Sequence, residues 1–322
     1  MQPILSRKII EDKILENFVD YQDLFIEIQS NFFTGLHKRY QSIESGNLVL
    51  YFAKQAHQDI LRQKDYDFNF NLSFEKFWEN HSLIMPTKKT IIKIAKDICI
   101  PKETARRKIL QLIKLKILSK KNNNTGWLPS ERYKKSYDLF IQEEIDGFTK
   151  LLFFICKKIN ISITNEEIKK EIKKNFNFYW FHYLNAQLKY LRLWSTQLKD
   201  LELTLIGLQV VRIFTSKIRK QNISHENIFN DQSVMKNFKS TSISATSISD
   251  VTSIPRATCI RKLESLVKLK MIKQDHISKR YYLIPESLSK NAISKEVTHE
   301  ATKTFCEFYF ICIRAISAKP SN

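Results

Sequence analysis

The sequence has little glycine and little proline, with 5 and 7 residues among 322. These two residues dominate the tight turns of hairpins, so their scarcity excludes a fold built from many short strands. Leu, Ile, Lys and Asn are abundant instead, which favours long helices. We therefore predict a mainly α protein with small β elements. The 43% of hydrophobic residues are enough to form the cores of two domains of ordinary size.

Catalytic and metal-binding patterns are also missing. The five cysteines form no C-x-x-C pair, and none is followed by histidine at a zinc-ligand spacing. Buried free thiols in a reducing compartment are the expected reading. There is no G-x-S-x-G, Walker loop, G-x-G-x-x-G or H-E-x-x-H. The acids Glu143, Glu144 and Asp146 fit a solvated helix face better than a metal site. We expect neither an enzyme nor a bound cofactor or metal.

Long hydrophobic runs are absent as well. The most apolar segments are LLFFIC, starting at Leu151, and FYFICI, starting at Phe308. Both are far shorter than the ~20 residues that a membrane-spanning helix needs. The N-terminal stretch carries early acids and lacks the continuous apolar region of a secretory signal. A soluble, cytoplasmic protein without a membrane partner is expected.

The charge, in contrast, is large: 53 Lys and Arg against 33 Asp and Glu give a formal net charge of +20. Such a surplus suits a polyanionic partner, most often nucleic acid. The alternative is a compositional bias, because Ile, Lys and Asn are enriched together. The position of the charge favours a partner. Residues 102–121 hold eight basic residues and the single acid Glu103.

This basic stretch belongs to an internal repeat. Residues 94–121 and 248–275 each predict a helix, a turn opened by Ile-Pro, a longer basic helix and a polar, turn-rich segment. Residues 100–121 align with 254–275 without gaps, and nine of the 22 pairs are identical. The correspondence resumes at Pro129 with Pro285. We predict two domains, residues 1–160 and 161–322, containing a first motif (residues 90–130) and a second motif (residues 244–286).

The segments IPKETARRKILQLIKLKIL and IPRATCIRKLESLVKLKMI resemble the recognition-helix region of bacterial winged helix-turn-helix regulators. The layout of each domain, with helices on both sides of the motif, resembles the MarR-type regulators. Those proteins are homodimers with interlocking terminal helices. The resemblance implies two tandem winged helix-turn-helix domains flanked by helices and arranged as a pseudo-dimer in one chain. Cys99 and Ser253 are departures, because such motifs often have glycine at this turn.

A recognition helix enters the major groove and presents hydrogen-bond donors to phosphates and base edges. The helical faces opposite the apolar positions, together with the wings, define the candidate contacts. Arg107 and Arg261 are the strongest, because they match between the copies at an exposed position. The predicted DNA-binding residues are Lys102, Thr104, Arg106, Arg107, Lys108, Gln111, Lys120 and Lys121 in the first motif, and Arg256, Thr258, Arg261, Lys262, Ser265, Lys279 and Arg280 in the second.

The sequence therefore predicts a sequence-specific, double-stranded-DNA-binding regulator of transcription that acts as a single-chain pseudo-dimer. The copies differ where bases would be read, so the site should be asymmetric, with half-sites ~10 bp apart. Two alternatives stay open: a plasmid-type replication initiator with tandem winged helices, and a winged-helix scaffold for protein interactions. A small-molecule effector in a cleft beside each winged helix is a further open possibility.

Overall fold

Helices dominate the computed structural model, which describes residues 5–67, 69–84, 89–121, 124–221, 238–284 and 291–318. Thirteen α-helices, a short 3-10 helix and two short strand pairs account for the regular structure of these residues. The prediction of a mainly α protein with small β elements is confirmed. Within the described ranges, no helix combines the length and apolarity needed to cross a membrane.

The elements follow one another along the chain with short connections. The helices and strands are α1 (Arg7–Glu16), α2 (Phe18–Tyr40), α3 (Ile43–Lys64), α4 (Phe77–Ser82), α5 (Ile91–Asp97), α6 (Lys102–Lys114), β1 (Ser119–Lys121), β2 (Asn124–Gly126), α7 (Glu131–Lys158), α8 (Asn165–Lys174), α9 (Phe176–Leu198), α10 (Leu201–Lys220), α11 (Ala245–Thr252), α12 (Arg256–Lys268), β3 (Ile272–Gln274), β4 (Tyr281–Leu283) and α13 (Ala292–Ser317). The 3-10 helix, Phe238–Thr241, precedes α11.

Local sequence signals place some of these boundaries and miss others. The Thr164 hydroxyl accepts from the Glu167 amide while the Glu167 carboxylate accepts from the Thr164 amide, so a Thr-x-x-Glu capping box starts α8. Gly46 lies inside α3, although glycine more often follows the end of a helix. Trp127 directly follows β2, which ends at Gly126. Trp127 is only 4% exposed, and packing against aromatic rings decides its position.

The chain forms two compact units, and each is built from separated segments. Unit 1 comprises residues 1–10, 44–196 and 303–322, and unit 2 comprises residues 11–43 and 197–302. The predicted division after residue 160 follows the sequence repeat, whereas the compact units do not follow it. Unit 2 takes α2 from the N-terminal half, and unit 1 takes most of α13 from the C-terminal half. Packing partners, not sequence order, set these boundaries.

The core of unit 1 is aromatic. The rings of Phe77, Phe176 and Trp180 are fully buried, and His57 is stacked on Phe77 with a centroid distance of 4.5 Å. The His57 Nδ1 lies 2.8 Å from the Asn177 Oδ1 in the buried core. Burial lowers the pKa of His57 to about 3, so its imidazole is neutral at neutral pH. Phe77 is therefore a core residue of unit 1.

The acids of α7 do not share one environment, which corrects the expectation of a solvated face. Glu144 is only 4% exposed and accepts a hydrogen bond from the buried Tyr183 hydroxyl. Tyr183 in turn accepts from Gln187 at 2.8 Å. Asp146 does face solvent and pairs with Lys169 at 2.5 Å. Glu144 is therefore part of a buried polar network in unit 1.

Unit 2 is organised by α2 and α10, which pack along each other. A buried hydrogen bond of 2.8 Å runs from Gln209 Nε2 to the Ser30 hydroxyl, and an ion pair of 3.0 Å joins Arg219 to Asp23. The helix α12 packs against α10, where the Leu266 side chain approaches Gly207. A Cβ at this glycine would lie 3.6 Å from Leu266, an ordinary van der Waals distance, so the contact between the two helices leaves room for an alanine here.

Candidate nucleic-acid interface

The two motifs have the same order of elements. In the first motif α5, a turn, α6 and the antiparallel pair β1–β2 follow one another, and in the second motif α11, a turn, α12 and β3–β4 do so. The first helix of each motif is capped alike. The Thr90 hydroxyl accepts from the Lys93 amide at 3.3 Å, and the Ser244 hydroxyl from the Ser247 amide at 3.0 Å. Thr90 and Ser244 are separated by 154 positions, the offset of the sequence repeat.

The turn between the helices has a left-handed residue in each motif. Cys99 has φ 55° and Ser253 has φ 62°, both in the region that glycine enters most easily. These are the two positions where the resemblance leads one to expect glycine. Pro101 and Pro255 follow as the caps of α6 and α12, with φ near the value that the proline ring fixes. Cys99 and Ser253 thus adopt at this turn the left-handed conformation that is expected of glycine.

The inner faces of α6 and α12 supply apolar side chains at matching positions. Ala105, Ile109 and Leu112 are buried on α6, as the spacing predicts, and Cys259, Leu263 and Leu266 are buried on α12. After each helix the chain again adopts a positive φ of 56°, at Lys116 and Lys270. The duplicated sequence therefore produces a duplicated local geometry. Because these apolar side chains point into the core of each unit, the opposite face of each helix is exposed to solvent.

The outer faces carry exposed basic residues. Lys102, Arg106, Arg107 and Gln111 are exposed on α6, and Arg256 and Arg261 are exposed on α12. Within the described residues, no hydrogen bond or ion pair engages the side chain of Arg107 or Arg261. An open depression on α6 is lined by Glu103, Thr104, Arg106, Arg107 and Leu110. Donor groups are therefore available to an external acceptor at equivalent places in both motifs.

Lys262 does not belong to this outer face, which corrects the prediction for it. The residue is 8% exposed, and its Nζ bonds to Asp200 and lies 3.3 Å from the Glu202 carboxylate. Lys108, at the matching position, is half-buried and lies 3.6 Å from Glu44. In each motif a lysine ammonium on the second helix lies close to carboxylates at the start of an earlier long helix, which is α3 in the first motif and α10 in the second. These two lysines hold α12 and α6 in place.

The electrostatics around Glu202 support this role. The neighbouring His37 imidazole and the Lys262 ammonium lower the pKa of the Glu202 carboxyl to about 2. The His37 Nε2 lies 3.8 Å from Glu202. Asp200 also caps α10, because its Oδ1 accepts from the Leu203 amide at 3.0 Å. One lysine therefore ties α12 to two carboxylates, one of which is itself fixed by a helix cap.

Other residues of the predicted set are half-buried or have local partners. Thr104, Thr258 and Ser265 are half-buried, and the Ser265 hydroxyl donates to the Arg261 carbonyl at 3.1 Å. Arg106 forms an exposed ion pair of 3.2 Å with Glu103, and Arg256 donates to the Thr246 hydroxyl at 3.1 Å. Exposed contacts of this kind contribute little to stability. Arg106 and Arg256 can therefore exchange these partners for an external acceptor with little loss of free energy.

The strand pairs differ in what they present. Lys120 is exposed on β1, and the side chain of Lys121 lies outside the described residues. In the second motif Lys279 is exposed, but the Arg280 guanidinium donates twice to the Ser242 carbonyl, at 2.9 and 3.3 Å. Ile243 forms a bridge with Tyr281, which adds a third extended segment beside β4. Arg280 thus fastens the strand pair to the residues before α11.

The cavity beside the first motif is too small for an effector. It lies among α3, α4 and the end of β2, with Phe52, Gln55, His81 and Trp127 among its lining residues. Its volume is about 30 Å³, whereas sites for small molecules usually hold about 300 to 1,000 Å³. Nothing in this cavity favours the small-molecule effector considered from the sequence.

Each motif presents a helical surface with cationic groups that are unpaired among the described residues or only weakly paired. Such groups donate to phosphates and to base edges. Comparison of the chain with protein-family models, curated proteins and solved structures gives no match. The functional reasoning therefore rests on the residues themselves.

Proposed function

We propose that this chain is a double-stranded-DNA-binding regulator of transcription with two winged helix-turn-helix motifs. The observation that carries the proposal concerns two basic residues that are identical in the two copies, a lysine on the inner face of each helix and an arginine on its outer face. Lys108 and Lys262 turn inward to carboxylates, whereas Arg107 and Arg261 remain exposed and without partners among the described residues. A duplicated arginine with no structural task suits a duplicated external ligand.

The dimensions and charge of the two helices favour duplex DNA as that ligand. Each of α6 and α12 has 13 residues, and a helix of this length extends about 20 Å and fits a major groove about 12 Å wide. Arg107 and Arg261 lie in the first half of their helices, the part that commonly approaches the base edges. Guanidinium groups there can bind guanine or phosphate in a bidentate manner.

The two surfaces differ, and this difference shapes the proposed target. In the alignment of the two copies, Arg106 corresponds to Ile260 and Gln111 corresponds to Ser265. A homodimer reads a palindrome, whereas two copies in one chain can diverge. We propose a pseudo-dimer that reads one asymmetric site with half-sites ~10 bp apart. The protein acts by occupying this site and performs no chemistry on it.

The test begins with selection of bound sequences from a random double-stranded pool. The wild-type chain should enrich one asymmetric sequence, and its log Kd should rise linearly with log salt. Arg107→Ala and Arg261→Ala should each weaken binding roughly tenfold and reduce the salt slope by about one. Arg314→Ala is the matched control, because it removes one exposed arginine from α13, outside both motifs.

The outcomes separate the proposal from its rivals. Enrichment of one asymmetric site, with losses confined to Arg107→Ala and Arg261→Ala, supports the regulator. Enrichment of several direct repeats in one fragment contradicts it and favours the replication initiator. Absence of salt-dependent binding to duplex DNA refutes the proposal and favours the protein-interaction scaffold.

A further inference from the structure

The connection between β3 and β4 presents an isolated apolar side chain. Ile277 lies at its tip and is 95% exposed, the most exposed large hydrophobic residue described. Its neighbours His276, Ser278 and Lys279 are exposed as well. An isoleucine in this position contributes nothing to the core of unit 2. Its apolar surface is available only to a partner outside the unit.

Hydrogen bonds constrain the backbone around Ile277. The Asp275 Oδ1 accepts from the amides of Ile277 and Ser278, at 3.0 and 2.8 Å, and from the Ser278 hydroxyl at 3.2 Å. The Asp275 amide donates to the Arg280 carbonyl at 2.8 Å, which closes the loop at its base. A tip that is already ordered loses little conformational entropy when it binds.

The charges at the tip point to an anionic partner. The only carboxylate in residues 275–280 belongs to Asp275, and it is occupied inside the turn. Lys279 is exposed beside Ile277, with its backbone in the left-handed region at φ 56°. An apolar point next to a cation matches the minor groove of DNA, where phosphates flank the apolar edges of sugars and stacked bases.

We propose that Ile277 is a minor-groove wedge that enters between two base pairs beside the half-site of the second motif. The inference rests on the proposed DNA-binding function. Aliphatic side chains used in this way partly unstack one step and kink the duplex. A flexible pyrimidine–purine step is the expected target, because it unstacks at the lowest cost. Ile277 is thus a specificity-determining residue that reads deformability and makes no hydrogen bond to a base.

The wedge belongs to one motif only. The corresponding part of the first motif, between Lys120 and Gly126, contains only lysine, asparagine and threonine. A polar loop can contact the backbone of DNA but cannot replace stacking between bases. The distortion should therefore occur at one end of the site, which adds a second source of asymmetry to the difference between α6 and α12.

The experiment uses the full chain and the duplex selected by the wild-type protein. A 2-aminopurine is placed at each step across the outer flank of the second half-site, and its fluorescence reports unstacking. Wild-type protein should raise the fluorescence at one step, and Ile277→Ala should abolish the rise and weaken binding about tenfold. Ile277→Leu should retain most of both effects. Leu15→Ala, which truncates an exposed leucine of α1, is the matched control and should bind as the wild type does.

Each result decides a different point. If wild-type protein binds its site but Ile277→Ala binds equally well, or no step is unstacked, the wedge is refuted while the proposed function stands. If wild-type protein binds no duplex DNA, the proposed function fails and the wedge fails with it. Because Ile277 contacts solvent, thermal unfolding of Ile277→Ala should match that of the wild type, so a loss of binding is not a loss of fold.

Discussion

Replacement of Lys262 by alanine tests whether this residue is a structural clamp or a DNA contact. The change leaves the Asp200 and Glu202 carboxylates without their common ammonium partner. It also creates space beneath α12, where the lysine stem is now buried. Both effects act on the folded state, so we expect a loss of stability in the absence of any DNA.

The magnitude follows from the exposure of the three groups. Breaking a fully buried ion pair costs about 3 to 5 kcal/mol, whereas an exposed pair contributes about 0 to 1 kcal/mol. Lys262 is buried, but the side chains of Asp200 and Glu202 are 36% and 26% exposed. Solvent screens the stranded carboxylates, and we expect a loss of about 2 kcal/mol in the free energy of unfolding.

Thermal unfolding followed by far-ultraviolet circular dichroism measures this loss. Lys262→Ala should lower Tm by about 4 to 8 °C. The triple variant Lys262→Met, Asp200→Asn, Glu202→Gln should recover most of it, because neutral groups of similar size leave no stranded charge. Asn at position 200 still accepts from the amide of Leu203 and preserves the helix cap.

Two comparisons complete the test. Lys108→Ala should cost less, about 1 kcal/mol, because its ammonium lies 3.6 Å from Glu44, farther than the Lys262 ammonium lies from either of its two carboxylates. In DNA titrations Lys262→Ala should leave the slope of log Kd against log salt unchanged, whereas Arg261→Ala should reduce it by about one. A variant of Lys262 with wild-type Tm and a reduced salt slope would show that this lysine contacts DNA, and the clamp would be refuted.

Three further predictions concern other parts of the chain. Burial holds the pKa of His57 at about 3, below the ordinary 6.5, so unfolded chains bind the proton first and stability should fall as the pH drops from 6.5 toward 3. Acid titration followed by tryptophan fluorescence measures this, since all four tryptophans belong to unit 1; constant stability between pH 6.5 and 4 argues against it. Ser253→Gly should raise the free energy of unfolding by about 1 kcal/mol by relieving the left-handed turn, and a lowered Tm would contradict this. Phe308→Ala should destabilise unit 1 by about 3 to 5 kcal/mol, because the ring packs 5.7 Å from Phe148 and Tyr183; an unshifted tryptophan transition would count against the assignment of α13 to this unit.

The features that depend on local sequence could be predicted well. The spacing of Ala105, Ile109 and Leu112 identifies the buried face of α6 because a helix repeats every 3.6 residues. The Ile-Pro pairs locate the starts of α6 and α12, and Thr164 with Glu167 locates the start of α8. These signals are complete within a few residues, so they do not depend on the rest of the fold.

The role of Lys108 and Lys262 depends on residues far along the chain. Lys108 follows Ala105 by three positions and precedes Leu112 by four, so the sequence indicates that it borders the buried face. Its acidic partner cannot be identified in this way, because Glu44 precedes Lys108 by 64 positions and only tertiary packing brings the two together. The local pattern alone therefore predicts both lysines on the exposed face with their arginine neighbours.

The composition of the two units escaped prediction for the same reason. Ser30 and Gln209 are hydrogen-bonded in unit 2, yet nothing in their local patterns indicates that α2 and α10 are partners. Amphipathic helices report that they have a buried face but not which helix covers it. The repeat predicts a domain boundary after residue 160, whereas each compact unit contains residues from both sides of that position.

This interleaving has a consequence for synthesis on the ribosome. The helix α2 is made before α10, which covers it in unit 2 and follows more than 150 residues later. At about 5 to 20 residues per second, the apolar face of α2 waits roughly 8 to 30 seconds for its partner. Unit 1 is completed later still, because it requires residues 303–318 of α13. The nascent chain thus cannot fold half by half, because each unit needs residues from both halves of the sequence before it can close.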